Sequence, residues 1–316
     1  MPTDAPDLRA FRFGVQASAP ADASAWRRLA RHIESLGYST LLLGDHVGDD
    51  DLAPIPALAD AAAATTRLRV GTLVINNDLR HPALLARDIA SLDIISGGRV
   101  ELGVGGGWAT SEYEALGLGF DEPATRVARL SEAIGIIRAT WSGDVVDETG
   151  AHYRVRGLRG TPRPTQRPGP PILVAGGGPV VSRIAGRQAD IVGVHLRMRR
   201  DGSGEDWSTG TLAATRERVG WIREAAGDRL ARLELQMMVM SLDITADRGA
   251  AAERIAGSEG HPVEEVLESP YRLIGSLDEI VAQLQEQRRD LGVSYFVVTL
   301  RDADAFAPVV SRLSGT

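Results

Sequence analysis

Short apolar runs alternate with longer amphipathic stretches along most of the chain. The apolar runs predict eight strands, at residues 11–16, 39–43, 68–74, 99–105, 171–178, 190–194, 233–240 and 295–300. Between these runs, apolar residues recur at the spacing of one helix face, as in Trp26, Ala30 and Ile33. Near-continuous apolar strands separated by amphipathic helices indicate a parallel sheet that helices cover on its outer side.

Eight successive strand and helix units predict a (β/α)8 TIM barrel, an α/β fold, rather than an open doubly wound sheet. We expect one domain over residues 1–316, with insertions at about 143–170 and 197–210. The first contains a hairpin pattern and a Pro-rich stretch, and the second is polar and rich in Gly and Ser. Both are expected after strands, at the C-terminal face of the barrel. The second is predicted to be a lid whose Trp207 closes over substrate.

The composition excludes several classes of enzyme. All 35 Lys+Arg residues are arginine, and the chain has no lysine and no cysteine. It therefore has no Schiff-base lysine, no P-loop lysine, no cysteine nucleophile, no thiolate zinc site and no disulfide. The net charge of -7 argues against nucleic-acid binding. Because Met1–Ala10 is polar and no apolar stretch is long enough to cross a membrane, we interpret the protein as cytoplasmic, without a membrane partner.

Histidines near strand ends are the first candidates for chemistry, because barrel enzymes place catalytic groups at the C-terminal ends of strands. Asp45 and His46 follow the second strand and are the predicted catalytic pair. His195 follows the sixth strand and is a candidate for the substrate pocket. His81 is better interpreted as the start of a helix before Pro82. No HxH or HExxH motif occurs, and no metal site is predicted.

Glycine runs at two neighbouring strand ends are the second signal. They are Gly105, Gly106 and Gly107 at the end of the fourth strand, and Gly176, Gly177 and Gly178 at the end of the fifth. A glycine turn that leads into a helix, here at Pro179, exposes backbone N–H groups to a phosphate, although glycines also simply permit tight turns. A dinucleotide-binding fold is disfavoured, because Trp108 stands where the third glycine of GxGxxG belongs.

Positive charge is concentrated in one part of this acidic chain. Residues 151–200 contain ten arginines and a single acid, Asp190, which gives a net charge of +9 by subtraction. Such a segment could attract a polyanionic ligand, or it could be a solvated outer face.

Several long motifs together resemble the bacterial luciferase-like flavin and deazaflavin oxidoreductases, most closely the coenzyme F420-dependent branch. The motifs are ESLGYSTLLLGDH, the block from RLRVGTLVINNDLRHP to GGRVELGVGGGW, and RPGPPILVAGGGP. The resemblance implies a TIM barrel with insertions whose C-terminal mouth holds the isoalloxazine or deazaflavin ring.

The resemblance also implies residue roles. His46 matches a histidine near the reactive ring face, and Asp45 the acid beside it. Leu73 and Val74 match a non-prolyl cis peptide behind the ring, and Asn76 lines the ring edge. The turn at 176–178 matches the family's phosphate-binding turn.

Two positions depart from the family's sugar-phosphate dehydrogenases. Trp108 stands where those enzymes have a glutamate as general acid, and Val47-Gly48 where they have a tryptophan. Glu112 is the nearest carboxylate, but it is equally well explained as an acid in the first turn of a helix. Arg163 and Arg167, in the Pro-rich stretch, are predicted to bind the anionic tail of the cofactor.

The predicted function is that of an F420-dependent oxidoreductase. It would exchange hydride between C5 of the deazaflavin and a small organic substrate, with His46 as proton donor or acceptor. Two alternatives stay open: an FMN-dependent two-component monooxygenase with a separate reductase, and a flavin-binding barrel without catalysis. The substrate is expected to be a small molecule, and a homodimer is left open.

Overall fold

Eight parallel strand positions close into a barrel in the computed structural model, which describes residues 8–48, 52–199 and 201–316. The first strand pairs with the second and with the last, and strand three pairs with strand five across the remaining gap. The predicted TIM barrel is thereby confirmed. Most of the Met1–Ala10 segment and Arg200 of the basic segment lie outside the described residues.

The strands, in chain order, are β1 (Arg12–Ala17), β2 (Thr40–Leu43), β3 (Arg69–Thr72), β4 (Ile75–Asn76), β5 (Val100–Gly105), β6 (Val145–Thr149), β7 (Arg154–Arg159), β8 (Ile172–Gly176), β9 (Ile191–Val194), β10 (Arg197–Met198), β11 (Glu205–Asp206), β12 (Glu234–Met238), β13 (Ser241–Ile244), β14 (Arg272–Gly275) and β15 (Val293–Thr299). The barrel uses β1, β2, β3 with β4, β5, β8, β9, β12 and β15. The pair β13–β14 was not predicted from the sequence, because the apolar run at 233–240 hides where β12 ends.

The helices are α1 (Ala23–Ser35), α2 (Pro54–Ala64), α3 (Pro82–Ser96), α4 (Thr110–Leu116), α5 (Pro123–Ser142), α6 (Pro179–Gln188), α7 (Leu212–Ala226), α8 (Arg248–Glu259), α9 (Val263–Glu268), α10 (Leu277–Leu291) and α11 (Ala303–Leu313). Their apolar faces pack on the outside of the barrel, with Trp26, Ile89 and Ile137 fully buried there. Among the described helices, none has the length and hydropathy needed to cross a membrane.

The two insertions start from opposite ends of the barrel. The hairpin β6–β7 forms as predicted, but its segment follows helix α5 and leads into β8, so it begins and ends at the N-terminal ends of the strands. The prediction that residues 143–170 belong to the C-terminal face is therefore wrong for the two ends of the segment, whereas Tyr153, at the hairpin turn, accepts a hydrogen bond from Asn77 just after β4. Residues 197–210 follow β9 and do lie at the C-terminal face.

A buried ion network fills the N-terminal end of the barrel. Arg12 donates hydrogen bonds to Glu101 at 2.7 Å and to Glu234 at 2.7 Å, and Arg69 donates to Glu101 at 2.6 Å. The Arg12 guanidinium also stacks on the Tyr295 ring, 3.5 Å from its centroid. Burial alone would raise the pKa of Glu101, but attraction to the two arginines outweighs it and holds that pKa below its usual range.

Glu101→Gln should lower the free energy of unfolding by about 3 kcal/mol, because it removes the buried carboxylate that two half-buried arginines share, and only Arg12 keeps a second one, Glu234. Urea denaturation of the variant and the wild type measures this loss. The exposed Glu264→Gln on α9 is the matched control and should change stability by less than about 0.5 kcal/mol. A carboxylate whose pKa is lowered by folding stabilises only above that pKa, so the difference should shrink as pH falls through it. An unchanged difference under acid would contradict the ion-pair explanation.

Candidate active site at the barrel mouth

Two cavities open at the C-terminal ends of the strands. The mouth cavity, of about 230 Å³, is lined by Gln16, Asp45, His46, Leu73, Val74, Asn76, Gly107, Trp108, Glu112, Ala175, Gly176, His195, Leu196, Met198, Glu205, Gln236, Met238 and Met240. The side cavity, of about 330 Å³, is lined by Gln16, Ala17, Ser18, Ala19, Leu43, Gly44, His46, Leu52, Thr299, Leu300 and Arg301. Since Gln16 and His46 line both, they lie where the two cavities meet.

His46 is paired with Glu112. Its Nδ1 atom lies 2.6 Å from Oε1 of Glu112, whose side chain is 11% exposed while that of His46 is 41% exposed. Trp108 contacts the same imidazole edge-on, with 5.7 Å between the ring centroids. Glu112 also lies in the first turn of α4, as expected for an acid at a helix start. This position and a role beside His46 are compatible. A histidine held on one nitrogen by a carboxylate and open to a cavity is suited to proton transfer.

Asp45 contacts other partners. Its carboxylate accepts two hydrogen bonds from the Arg80 guanidinium and one, at 3.1 Å, from the backbone N–H of Asn76. The side chain is 3% exposed, although it forms part of the cavity wall. The structure therefore brings Asp45 to the site but does not pair it with His46. Asp45 instead ties the loop after β2 to the segment after β4.

Leu73 and Val74 form the bulge between β3 and β4 and line the mouth cavity. The peptide bond between them is cis, as the family resemblance implies. A Cβ atom on Gly105 would lie 2.7 Å from Cγ2 of Val74, so this glycine lets β5 approach the bulge. Asn76, the predicted ring-edge residue, is buried after the bulge and its Oδ1 accepts from the Tyr113 hydroxyl at 3.1 Å.

The three glycines after β5 serve close packing more than the cavity. Gly107 has a φ of 74°, and a Cβ there would collide with the Tyr113 hydroxyl. Gly106 faces Arg126 of α5. Of Gly105, Gly106 and Gly107, only Gly107 belongs to the cavity lining.

The turn at 176–178 leads directly into α6. Gly178 is the N-cap, without a side-chain capping hydrogen bond, and Pro179 is the first helical residue. Gly176 lines the mouth cavity, while a Cβ on Gly177 would collide with the backbone joining Leu196 and Arg197. This geometry leaves backbone N–H groups at the start of α6 for an anion.

Arg163 and Arg167 lie at the other end of the barrel, which corrects their predicted role. Arg163 packs over Gly143, just after α5, and Arg167 donates to the carbonyl of Pro164. The adjacent Gln166 donates to the carbonyl of Val100, the first residue of β5. The error has the same cause as the misplacement of the insertion. Arg163 and Arg167 precede β8 in the sequence, so they lie near the start of this strand and not near its end.

Two other arginines lie beside the glycine turn. The guanidinium carbons of Arg183 and Arg197 are 5.9 and 5.8 Å from the centroid of the Trp221 ring, within the range of cation–π attraction. Arg183 belongs to α6, and the backbone of Arg197 packs on Gly177. The Arg197 backbone thus lies beside the turn, while the Arg183 guanidinium also lies 3.7 Å from a carboxylate oxygen of Glu224.

His195 borders the cavity beyond β9. Its Nδ1 atom lies 3.1 Å from the backbone oxygen of Leu196, and burial lowers the pKa of this imidazole. Because a lowered pKa favours the uncharged form, His195 contributes a neutral polar edge at neutral pH.

The hairpin β10–β11 extends over the mouth. Met198 and Glu205 of this hairpin line the cavity, and a Cβ on Gly202 would lie 2.7 Å from the Trp108 backbone oxygen. Trp207 has another role than predicted: its ring lies under the Arg272 guanidinium at 4.2 Å and packs against the core. It therefore fixes the end of the segment and is not free to close over substrate.

Several cavity residues were not singled out from the sequence. Gln236, Met238 and Met240 alternate along and beyond β12, so their period of two places them on one face. That alternation, and the position of Gln16 near the end of β1, were the available signals. Gln236 is 2% exposed, and its Nε2 atom has no hydrogen-bond partner among the described residues.

Comparisons with known proteins agree with this geometry. The F420-dependent glucose-6-phosphate dehydrogenase of Nakamurella multipartita is 33% identical over 252 residues, which are 77% of this chain and 70% of that protein. The enzyme of the same name from Beutenbergia cavernae is 37% identical over 191 residues. There the match covers 57% of this chain and 55% of the relative, so the chain spans about half the length of that protein.

The structure of the coenzyme F420-dependent tetrahydromethanopterin reductase from Methanopyrus kandleri has the same fold. It superimposes with a TM-score of 0.76 over 97% of this chain and 99% of that chain, at 20% identity. A family model described as luciferase-like monooxygenase matches residues 8–295, which confirms the resemblance found in the sequence. The chain belongs to the luciferase-like monooxygenase family.

Proposed function

We propose that this protein is an F420-dependent oxidoreductase that interconverts an alcohol and a carbonyl compound, with His46 as the proton donor or acceptor. The observation that carries the proposal is the contact of His46 with Glu112 at 2.6 Å, in a cavity that also contains the Leu73–Val74 bulge. The names of the relatives, F420-dependent dehydrogenases, support the choice of cofactor.

The described residues fit a deazaflavin. The ring would rest against Leu73 and Val74, and the buried, unpartnered Nε2 atom of Gln236 would donate a hydrogen bond to it. The uncapped start of α6 at Gly178 would hold the phosphate, with Arg197 next to it. When bound, the deazaflavin supplies a two-electron hydride acceptor or donor at C5.

His46 would move the proton that accompanies the hydride. In the oxidative direction the substrate C–H bond breaks as its hydride leaves, the carbonyl forms, and Nε2 of His46 takes the hydroxyl proton. In the reverse direction the proton returns to the carbonyl oxygen. With Nδ1 held by Glu112, the carboxylate fixes the orientation of the imidazole and leaves Nε2 free to exchange a proton.

Two alternatives make different demands on the site. A barrel that binds flavin without catalysis would need no accessible histidine, whereas the His46 side chain is 41% exposed at the cavity. An FMN-dependent monooxygenase, the activity that the family description names, would use the same glycine turn for a single phosphate and would require a separate reductase. The affinity for F420 relative to FMN decides between the cofactors.

His46→Ala should lower turnover by about 10²- to 10⁴-fold, because it removes a positioned proton donor. Its F420 dissociation constant, measured by fluorescence titration, should stay close to that of the wild type. Glu112→Ala, which frees the imidazole, should lower turnover less, by about tenfold. Glu112→Gln keeps a hydrogen-bond acceptor and should recover part of this loss at unchanged KM. Wild-type turnover in His46→Ala would remove His46 from the mechanism.

Replacing both Arg183 and Arg197 by Gln should weaken F420 binding, and the loss should be largest at low salt. Each exposed ionic contact contributes about 0.5 to 1 kcal/mol and is screened by salt. FMN, which has one phosphate and no oligoglutamate tail, should respond less. The double replacement of Arg163 and Arg167 by Gln is the matched control, because those residues lie at the far end of the barrel. A loss in the control but not in the first variant would reverse this assignment.

We expect the hairpin β10–β11 to act as a lid. Gly202→Ala should push its tip away from Trp108 and Thr110 and raise KM several-fold, with little change in F420 affinity. Gly204→Ala is the control: both glycines have positive φ, 72° and 124°, but a Cβ on Gly204 meets nothing within 4 Å. Steady-state kinetics of the two variants measures the effect, and equal KM values would show that the tip contact does not matter.

A further inference from the structure

The charged groups around the two cavities are unequally divided by sign. Asp45, Glu112 and Glu205 line the mouth cavity. Among the described residues that line the two cavities, Arg301 of the side cavity is the one arginine. Its side chain is 77% exposed, and its Nε atom lies 3.3 Å from a carboxylate oxygen of Asp302. A group so placed is a weak partner for an anionic substrate.

The three carboxylates differ in how far they are neutralised. Asp45 is compensated by the two hydrogen bonds from Arg80. Glu112 is engaged by His46, whose Nδ1 atom lies 2.6 Å from its Oε1 atom. No ion pair within the described ranges involves Glu205, which lines the cavity from β11. Glu205 therefore contributes to the cavity wall a negative charge that no ion pair of the described residues compensates.

The remaining wall is apolar and adaptable. Met198, Met238 and Met240 approach from two elements, and Trp108 adds an aromatic surface that is 36% exposed. Methionine side chains fit varied apolar shapes because they are unbranched and polarisable. An apolar body fits such a wall better than a sugar ring, whose hydroxyls would each need a hydrogen-bond partner.

We infer that the substrate is an uncharged alcohol or carbonyl compound with an apolar body, and that Glu205 excludes anionic compounds such as sugar phosphates. This inference rests on the proposed function. Recognition of a phosphate dianion ordinarily requires arginine, lysine or a cluster of backbone N–H groups. The cluster described above is the turn at 176–178, and the phosphate of the cofactor would occupy it. Exclusion by a like charge is a common source of specificity.

The test compares an apolar neutral alcohol, a polar neutral sugar and its phosphate with the same enzyme. Wild-type protein loaded with F420 is given cyclohexanol, glucose or glucose 6-phosphate, and loss of F420 absorbance gives kcat/KM. We expect cyclohexanol to exceed glucose 6-phosphate by at least about 100-fold, because repulsion and an unpaired phosphate both act against the sugar phosphate. Glucose should lie below cyclohexanol.

A charge-removing variant isolates the role of Glu205. Glu205→Gln should raise the ratio of kcat/KM for glucose 6-phosphate to that for cyclohexanol by about tenfold. Glu148→Gln, on the exposed hairpin β6–β7, is the matched control and should leave this ratio unchanged. The effect in Glu205→Gln should shrink at high salt, as expected for a charge effect and not for a packing change.

Failure of this inference is distinguishable from failure of the proposed function. If F420 does not bind in a fluorescence titration, the proposed function is wrong. If F420 binds but glucose 6-phosphate is used as well as or better than cyclohexanol, or cyclohexanol is not used at all, the inference is overturned. An unchanged ratio in Glu205→Gln would remove Glu205 as the specificity determinant.

Discussion

The contact of Glu101 with Arg12 and Arg69 closes the N-terminal end of the barrel, so that ligands can enter only from the C-terminal end. Arg12, Arg69 and Glu101 come from three different strands near their starts, so their ion pairs join the strands at the end where no ligand enters. Above them, Leu42, Leu173 and Val297 fill the interior. Because the strands are parallel, their carboxyl ends all meet at the opposite end, where the two cavities described above open.

The sequence was sufficient for the fold and for the general position of the site. Apolar runs locate the barrel strands because burial on both faces favours apolar side chains along most of each strand. His46 could be selected because it follows a strand, and the contact with the cavity agrees with that choice. The partner of His46 could not be assigned, since Glu112 is 66 residues away and its approach depends on how α4 is tilted.

Two kinds of information that local sequence lacks explain the errors: the end of the strand at which a segment lies, and long-range contacts. A basic, Pro-rich segment next to β8 was placed at the mouth, but a segment that leads into a strand lies at the start of that strand. Arg163 and Arg167 therefore lie far from the turn that ends the same strand. Local sequence also could not show that Trp207 is held by Arg272, because that contact joins segments 65 residues apart along the chain. Long-range contacts of this kind decide whether an aromatic residue is an anchor or a moving part.

Gly177 links two parts of the site that were described separately. Its Cα packs against the backbone of Leu196 and Arg197, and the hairpin over the mouth begins at Arg197. An anion seated on the turn would hold the base of the hairpin at the same time, because the two segments are too close to shift independently. A ligand held at the turn would therefore touch the same stretch of backbone from which the hairpin over the mouth starts.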